Sequence, residues 1–598
     1  MVIYRIYGKG LNVVLLKHII YPWLSLVALF TCVTLSYRAV FALYFTDIFA
    51  QLSSGQILYA LFWGLRFDVA VGLFFALLAW ITYRICASFS LPWVYYGLIL
   101  LPLLMVIQTA DMLYFQDAGR HIGLEILSAG GDGWQLFNHA LHTGLTLMIC
   151  NLLLLCVWLG LAYRWLSKVS LEQPLVMTMP QRVCTWALII VCSVVGIRGV
   201  GGVPQAPIHA YQIGQSEQAV IASNAAYITL FILFAEQENM TQVVLPAWSG
   251  DKDALFADLY PLHSNPENKM KVQHTDLAAK NIVLLFLESW NAAWMRSYNP
   301  SFAHDVTPHF DQFRQQAISA DLTLAGGHRT VEGVFTTMCS FQNPLGSSIA
   351  HSALLNLDYL CLPELLQQQG YQTVFIQGSH RDTGNVGSFA QSLGFQESLG
   401  KGQLPSGTLP HNAWGLQDDD LYKVVLDKLD SQTAPFFYAI NTTSTHDTIL
   451  PPHVQPLLQA KSSQDKHINV MAYADQAFGR FMQAFAQTKW AENTIIVVVA
   501  DHTAQIYSSY LHEYMIPMAI KAPDVAAKML PYATSQRDIA PTLLELLGLP
   551  AAPSFSGKSL LSSPTFFADY YHQQHLGWIE GDVLLDVDLS NAQTRCYA

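Results

Sequence analysis

Side chains that could carry out chemistry follow three apolar runs of this sequence. Each run ends at or shortly before a carboxylate or an imidazole: NIVLLFL leads to Glu288, TIIVVVA to Asp501 and His502, and PFFYAI to His446. Two carboxylates and a neutral imidazole suit a divalent ion such as Zn²⁺ or Mn²⁺. Neighbouring strand residues point to opposite faces, so Asp501 and His502 can share an ion only where the backbone turns.

The stretch GGHRTVEGVFTTMC offers a further ligand and a nucleophile. A threonine hydroxyl is a poor nucleophile at neutral pH, but a bound dication stabilises its alkoxide, so one residue can be both ligand and nucleophile. Thr330 follows the glycine pair and precedes the predicted helix VEGVFTTM, where free N–H groups and the helix dipole favour a phosphate. Thr336 and Thr337 fall a turn or more inside that helix. We therefore predict Thr330 as the nucleophile.

Each of these residues also has an ordinary structural interpretation. Thr330 alone would be a helix N-cap, Glu288 an ion-pair partner and His446 a loop histidine with its hydrogen bonds satisfied. Asp501 and His502 alone would be a cap or a hydrogen-bonded pair. Their joint placement after predicted strands is what favours a metal site.

Strands and helices alternate from residue 276 onward, and these elements must position the site. Strands that are apolar on both faces and separated by helices predict a largely parallel sheet covered on both sides. Polar chemistry in such sheets collects beyond the carboxyl ends of the strands. Further predicted strands are 372–377 and 516–522, and the predicted helices are 362–370, 418–429, 467–485 and 535–548.

The first 200 residues are mostly apolar and predict five transmembrane helices. A helix must cross a hydrocarbon core of about 30 Å, and the candidate stretches lie near 19–41, 67–86, 93–110, 143–163 and 183–201. Basic residues concentrate on the flanks that a cytoplasmic N-terminus would place inside. With an odd number of spans, everything after residue 201 is expected outside the cytoplasmic membrane.

The predicted domains are a five-helix membrane domain, a connecting segment, a catalytic domain and a C-terminal tail. Their boundaries are 1–201, 202–275, 276–575 and 576–598, and the connecting segment is expected to contain an amphipathic helix. Residues after 200 hold 20 Lys+Arg against 36 Asp+Glu, a net charge of −16, which excludes nucleic acid as a partner.

Two pairs of residues leave alternatives open. Cys339 and Cys361 could close a short loop in an oxidising compartment, or they are two unpaired buried thiols. Arg66 and Asp68 lie near the edge of a predicted span, where charges are usually paired or reach toward the interface. A role of this second pair in lipid entry is the alternative.

The chain resembles the lipoteichoic acid synthase and phosphoglycerol transferase branch of the alkaline phosphatase superfamily. The resemblance covers nearly the whole chain and rests on NIVLLFLESW, HRTVEGVFTTMCSFQNPLG, LCLPELLQQQGYQTVFIQG, WGLQDDDLY, IIVVVADHT and SQRDIAPTLLELLGL. It implies an α-helical membrane domain followed by an α/β sulfatase-like domain with a largely parallel central sheet.

Carried over to this sequence, the resemblance implies a set of site residues. The metal would be held by Glu288, Thr330, Asp501 and His502, with Mn²⁺ as the first choice and Mg²⁺ or Zn²⁺ as alternatives, and Thr330 would be the nucleophile. His446 resembles the histidine that contacts the phosphate. The expected further substrate contacts are Arg329, His380 and Arg381, and Cys339 and Cys361 match a pair expected to be bridged in Gram-negative-type members.

The resemblance also implies an activity. The expected protein is a phosphoglycerol transferase of the bacterial inner membrane, with its catalytic domain in the periplasm or outside. It would move glycerol phosphate from phosphatidylglycerol through a covalent threonine intermediate to a glucan or polymer, releasing diacylglycerol. The family's aromatic glycerophosphate-binding segment is replaced by GSHRDTGNVGSF, which contains no tryptophan.

Two rival functions remain open, and a third is excluded. A phosphoethanolamine transferase would share the fold, the topology and the threonine, and a non-catalytic membrane scaffold or sensor could keep the fold. A formylglycine sulfatase would need Cys-x-Pro-x-Arg at the nucleophile turn, and the sequence contains no such motif.

Overall fold

The computed structural model describes residues 20–597 with several gaps. The gaps are 86–92, 124–143, 170–178, 200–203, 236–249, 260–279, 358, 411, 434, 507–509 and 564–565. The chain divides into two compact units, one formed by residues 1–238 and 352–357, the other by residues 239–351 and 358–598. Much of the predicted connecting segment after residue 235 lies outside the described residues.

The first unit is helical in its described part. Its helices are α1 Tyr21–Tyr44, α2 Ser54–Trp63, α3 Leu65–Ile85, α4 Trp93–Ala118, α5 Leu145–Lys168, α6 Met179–Arg198, α7 Ser216–Ala222 and α8 Ala225–Ala235. Large aromatic and aliphatic side chains such as Phe30, Phe67 and Leu104 fill its core.

Four stretches in the described part of this unit are long and apolar enough to cross a membrane. They are Tyr21–Tyr44, Ser54–Tyr83, Tyr95–Gln116 and Leu145–Lys168. The second of them begins well before the predicted start at residue 67. The predicted fifth span corresponds to a shorter apolar helix, Val183–Arg198, whereas α7 and α8 are bent by 80° and would count as a fifth span only if taken together.

Helix α8 contains the stretch that the sequence predicted as amphipathic. Its residues from Ala225 to Thr229 are all buried, and so is Ile232. Buried residues therefore lie on most sides of α8, and the helix packs into the helical unit. An amphipathic helix would instead have one buried apolar face and one exposed polar face.

The second unit is built on an eight-stranded sheet with the order β4-β3-β5-β1-β6-β7-β2-β8. The strands are β1 Asn281–Leu287, β2 Ile318–Leu324, β3 Gln372–His380, β4 Glu397–Lys401, β5 Phe436–Asn441, β6 Thr494–Ala500, β7 Met518–Lys521 and β8 Lys528–Ser535. All described neighbours pair in parallel except β7, which is antiparallel to β6 and to β2. The predicted largely parallel sheet is confirmed.

Helices accompany this sheet and leave its central strands without exposed residues. The helices are α9 Lys252–Leu259, α10 Pro308–Arg314, α11 Thr330–Cys339, α12 Leu362–Gln368, α13 Val386–Ser392, α14 Asp418–Asp430, α15 Ser463–Phe485 and α16 Ile539–Leu546. Every residue of β1, β5 and β6 is buried. Because β1 pairs in parallel with both β5 and β6, the carboxyl ends of the three strands meet at one edge of the sheet.

A second sheet follows at the end of the chain. Its strands, β9 Phe567–His572, β10 His575–Glu580, β11 Val583–Asp588 and β12 Gln593–Tyr597, form an antiparallel meander. The sequence analysis assigned 576–598 to a tail, but the structure places most of it in strands. The β9–β10 turn, Gln573-Gln574, has positive φ at both residues, a conformation that asparagine and glycine usually signal.

Candidate active site

Glu288 begins the site at the carboxyl end of β1. Its side chain is buried, and Oε1 accepts a hydrogen bond of 2.8 Å from Ser289 Oγ. Its backbone N–H donates to Thr442 Oγ1, which fixes the residue against the segment that follows β5. Ser289 has a φ of 58°, so the chain turns sharply here and the carboxylate leaves the line of the strand.

Asp501 and His502 follow β6 in a similar turn. Asp501 Oδ1 accepts hydrogen bonds from the backbone N–H groups of His502, at 2.8 Å, and of Ser289, at 2.9 Å. The other carboxylate oxygen, Oδ2, is buried without a hydrogen-bond partner among the described residues. His502 Nδ1 lies 2.8 Å from the Thr503 carbonyl and donates to it, which leaves the Nε2 lone pair free to bind a cation.

Thr330 is the first residue of α11, at the N-terminal end of the helix that carries it. The helix packs tightly against the end of β6, since a Cβ on Gly333 would lie 2.1 Å from the Asp501 carbonyl oxygen. Thr330 Oγ1 lies 3.4 Å from Glu288 Oε2 and 3.5 Å from His502 Nε2. The side chain therefore faces the same space as the carboxylates.

These groups match the donor set of a divalent cation. His502 Nε2 lies 3.5 Å from Glu288 Oε1, from Asp501 Oδ2 and from Thr330 Oγ1. One ligand atom from each of Glu288, Asp501 and His502 falls within 4.8 Å of the others. Metal–ligand bonds of about 2.0–2.2 Å place ligand atoms at such separations, and a cation would satisfy the orphaned Asp501 Oδ2. The residues thus fit a metal.

The electrostatics of the site point the same way. Burial, followed by the Glu288 carboxylate, raises the pKa of Asp501 to about 7. Burial alone would lower the pKa of His502, but the carboxylates of Asp501 and Glu288 outweigh it and raise that pKa. Two carboxylates held this close in a buried place are therefore poorly compensated by the protein, and a dication would stabilise both in the charged form.

His446 lies in a 3-10 turn, Ser444–His446, after β5. Shielding from water lowers the pKa of its imidazole, and the charges of Asp501 and His502 act on it more weakly and in opposite directions. The ring of Trp414 packs against the imidazole with 4.1 Å between ring centroids. The exposed histidine is thus held by an aromatic partner, Trp414, that the sequence analysis did not single out.

The other predicted substrate contacts lie in different environments. Arg329 is exposed and lines a cavity of about 340 Å³ beside the Gly326–Thr330 turn. His380 is exposed at the end of β3, with Nδ1 3.0 Å from the Lys401 carbonyl. Arg381 is buried, and its Nη2 donates to Gln391 Oε1 at 2.5 Å. The described contacts bring neither His380 nor Arg381 to Thr330.

Several supporting residues escaped sequence reasoning. Ser289, Asn441 and Thr442 all contact Glu288, and His467 Nε2 lies 3.2 Å from the Ser289 carbonyl oxygen. Ser289, Asn441 and Thr442 do follow predicted strands, which is a usable signal. His467 lies inside a long helix, and its sequence position gave no indication of this contact.

The two cysteines that the sequence analysis paired form a disulfide. Cys339 at the end of α11 is bonded to Cys361, the residue just before α12, with 4.1 Å between the Cα atoms. The helix that carries Thr330 is therefore covalently fixed at its C-terminal end.

Comparison with known proteins shows which proteins the second unit is similar to. Residues 280–549 match the Sulfatase family model. The chain is similar to phosphoglycerol transferase I of Shigella flexneri, 24% identical over 329 residues that cover 50% of this chain and 40% of the relative. It is also similar to phosphoglycerol transferase I of Xanthomonas campestris, 24% identical over 266 residues that cover 42% and 36%. The match thus spans well under half the length of these curated relatives.

Two solved structures are also similar. One is a protein in the alkaline phosphatase superfamily from Vibrio parahaemolyticus, with 23% identity, a TM-score of 0.49 and coverage of 58% of this chain and 91% of that chain. The other is the lipoteichoic acid synthase LtaP from Listeria monocytogenes, with 14% identity, a TM-score of 0.48 and coverage of 56% and 92%. The Sulfatase family model thus matches the part of the chain that carries Glu288, Thr330, Asp501 and His502.

Proposed function

We propose that this protein is a membrane-anchored phosphoglycerol transferase. It would take glycerol phosphate from phosphatidylglycerol, carry it on Thr330 and pass it to a hydroxyl group of an extracytoplasmic glucan or polymer. The observation that carries the proposal is the position of Thr330 Oγ1, which lies 3.4 Å from Glu288 and 3.5 Å from His502 at the start of a helix. The similarity to phosphoglycerol transferase I supports the choice of donor.

A divalent ion held by Glu288, Thr330, Asp501 and His502 would lower the pKa of the threonine hydroxyl and draw charge from the phosphoryl oxygens. Mn²⁺ is our first choice, with Mg²⁺ or Zn²⁺ as alternatives. The free N–H groups at the start of α11 would stabilise the negative charge of a phosphate bound at Thr330.

The chemistry would proceed in two displacements. Thr330 Oγ, having released its proton to solvent, attacks phosphorus; a new Oγ–P bond forms, and the bond from phosphorus to the diacylglycerol oxygen breaks. In this proposal His446 hands a proton to that leaving oxygen and then accepts one from the incoming hydroxyl. The hydroxyl attacks the phosphothreonine, the Oγ–P bond breaks, and Thr330 is regenerated.

The membrane anchor fits a lipid donor. Four helices of the first unit are long and apolar enough to cross a bilayer. A tethered catalytic domain and a donor lipid then meet in two dimensions. We propose the bacterial inner membrane as the location, with Val183–Arg198 as a fifth span. The odd number of spans would then put the catalytic domain on the outer side and leave the basic flanks of the spans inside.

The test is an assay of lipid cleavage. The full chain, purified in detergent and supplied with Mn²⁺, should release diacylglycerol from acyl-labelled phosphatidylglycerol, and Thr330→Ala should abolish the release. Thr337→Val is the matched control, because this buried hydroxyl of the same helix has no hydrogen-bond partner among the described residues. We expect the control variant to keep wild-type activity.

Other outcomes would reassign the function. Release from phosphatidylethanolamine but not from phosphatidylglycerol would make the protein a phosphoethanolamine transferase. Release from neither lipid, by a protein that binds Mn²⁺, would favour a non-catalytic scaffold or sensor. Equal activity of Thr330→Ala and the wild type would refute the covalent threonine.

A further inference from the structure

A second group of side chains of the types that bind metals lies beside the Gly326–Thr330 turn, which we call the nucleophile turn. His328 belongs to that turn, Glu513 ends the 3-10 turn Leu511–Glu513, and His572 is the last residue of β9. His328 Nε2 lies 3.1 Å from His572 Nδ1, and His572 Nδ1 lies 3.1 Å from Glu513 Oε2. The three ligand atoms fall within 4.8 Å of one another, and none belongs to the Glu288 site.

Hydrogen atoms alone cannot satisfy this arrangement. Tyr514 OH lies 2.6 Å from His328 Nε2 and also contacts the Tyr571 carbonyl oxygen. Five groups thus form a chain with four close contacts. In order, the groups are the Tyr571 carbonyl oxygen, Tyr514 OH, His328 Nε2, His572 Nδ1 and the Glu513 carboxylate. Only three hydrogens are available to them, one each on Tyr514, His328 Nε2 and His572 Nδ1, when Glu513 is ionised.

Every placement of those hydrogens leaves one bad contact. If both imidazole nitrogens carry a hydrogen, His328 can donate to Tyr514 and His572 can point its hydrogen at Glu513, but the two nitrogens then lie 3.1 Å apart with no hydrogen between them. If His572 Nδ1 carries none, its lone pair faces the Glu513 carboxylate. If His328 Nε2 carries none, its lone pair competes with the Tyr571 carbonyl for the single Tyr514 hydrogen. Polar groups that are largely shielded from water, as Glu513 and the two partly buried histidines are, are normally arranged to avoid such conflicts.

We propose that His328, Glu513 and His572 bind a second divalent cation. A cation removes the conflict because both imidazole nitrogens and the carboxylate then present lone pairs to it, while Tyr514 donates to the Tyr571 carbonyl. Two neutral imidazoles and one carboxylate are a donor set suited to Zn²⁺. Tetrahedral bonds of about 2.0–2.1 Å separate ligand atoms by roughly 3.3–3.5 Å, close to the 3.1 Å contacts here.

The second cation would fasten the nucleophile turn to the C-terminal sheet. His328 lies two residues before Thr330, whereas His572 lies at the β9–β10 turn. The nucleophile turn is also held by Gln505, whose Nε2 donates to the His328 carbonyl oxygen at 2.6 Å. The ion therefore acts as a positioning element for Thr330, and substrate need not touch it.

Metal counting on the full chain tests this site separately from activity. The detergent-purified protein is stripped with a chelator, dialysed against Zn²⁺ and analysed for bound metal. We expect two equivalents for the wild type and one each for His572→Gln, Glu513→Gln and Asp501→Asn. His575→Gln is the matched control, because His575 lies on the same hairpin but pairs with Asp586, and it should keep two equivalents.

The one equivalent of Zn²⁺ bound at the Glu288 site shows whether each variant is folded. A His572→Gln protein that keeps one equivalent is folded and has lost the second ion. If His572→Gln lost both equivalents, Glu513→Gln would decide between misfolding and a lost ligand. One equivalent in the wild type, or two in both His572→Gln and Glu513→Gln, would overturn the proposal, and neither result depends on the phosphoglycerol transferase assignment.

Discussion

The hydroxyl of Ser289 orients a proposed metal ligand. Ser289 Oγ donates to Glu288 Oε1 at 2.8 Å, and its backbone N–H donates to Asp501 Oδ1 at 2.9 Å. The hydroxyl thus fixes one carboxylate, and the backbone fixes the other. Groups that hold metal ligands in this way usually matter nearly as much as the ligands themselves.

We predict that Ser289→Ala lowers the affinity for Mn²⁺ by about 10–100-fold without unfolding the protein. Ser289→Gly should lose the same affinity, although glycine is better suited to the φ of 58° at this position. Titration of the stripped protein with Mn²⁺ measures both constants. If glycine restored wild-type affinity, backbone strain and not the missing hydroxyl would be responsible.

Helix α11 shows how an element sets the position of the proposed nucleophile, Thr330. The helix can approach β6 only because Gly333, in its first turn, has no side chain. A Cβ there would lie 2.1 Å from the Asp501 carbonyl oxygen and 3.0 Å from Gln536 Nε2. The carbonyl belongs to the backbone of Asp501, a proposed metal ligand, so it cannot move aside without moving the site.

Gly333→Ala should therefore lower the free energy of unfolding by about 1–3 kcal/mol and reduce turnover more than a surface change would. Thermal melting and diacylglycerol release measure the two effects. Gly160→Ala in α5 is the control, since a Cβ there meets nothing within 4 Å. Unchanged melting and turnover of Gly333→Ala would show that α11 can shift freely.

The Cys339–Cys361 disulfide restrains the other end of the same helix. It closes a loop with a sequence separation of 22 residues, and cross-links of this length stabilise by about 3 kcal/mol, largely by restricting the unfolded chain. The Cys339→Ser/Cys361→Ser double variant should melt at a lower temperature. Cys596→Ser, at a free and exposed thiol, should melt like the wild type; equal melting of all three proteins would contradict this role.

At the same scale, the sequence was most informative where strands are buried on both faces. NIVLLFL and TIIVVVA match β1 and β6 residue for residue, so the residues after them, Glu288 and Asp501, could be placed at one sheet edge. Strand β8 was missed because four of its eight residues are exposed, which leaves no apolar run. The β9–β10 hairpin was missed because Gln573-Gln574 gives no turn signal, and with it His572 was missed.

On the scale of the whole molecule, buried charge is also a feature of the apolar helical unit. Arg38 of α1 and Asp68 of α3 form an ion pair at 2.5 Å, with side chains that are 3% and 0% exposed. Asn224 Nδ2 donates to the same aspartate at 2.7 Å. Arg66, the neighbour that the sequence analysis considered with Asp68, contacts Gln212 and the ring of Trp63 instead.

This pair joins three parts of the helical unit, because Arg38 Nη1 also donates to the Ile221 carbonyl at 3.0 Å. Asp68→Asn would leave the guanidinium buried without its counter-charge, which costs about 3–5 kcal/mol. We predict that, when samples are heated and then run on size-exclusion chromatography, the variant loses its monodisperse peak at a lower temperature than the wild type. Asp47→Asn, at an exposed aspartate after α1, should behave like the wild type.

The double variant Arg38→Met/Asp68→Leu separates pairing from charge. It removes both buried charges and keeps apolar volume, so it should recover much of the loss seen with Asp68→Asn. The Mn²⁺ content of the folded fraction should be the same in all these proteins, since the proposed ligands all lie between Glu288 and His502 in the other unit. If Asp68→Asn were as stable as the wild type, the ion pair would not hold the helices together, and a role in lipid handling would become the better explanation for its burial.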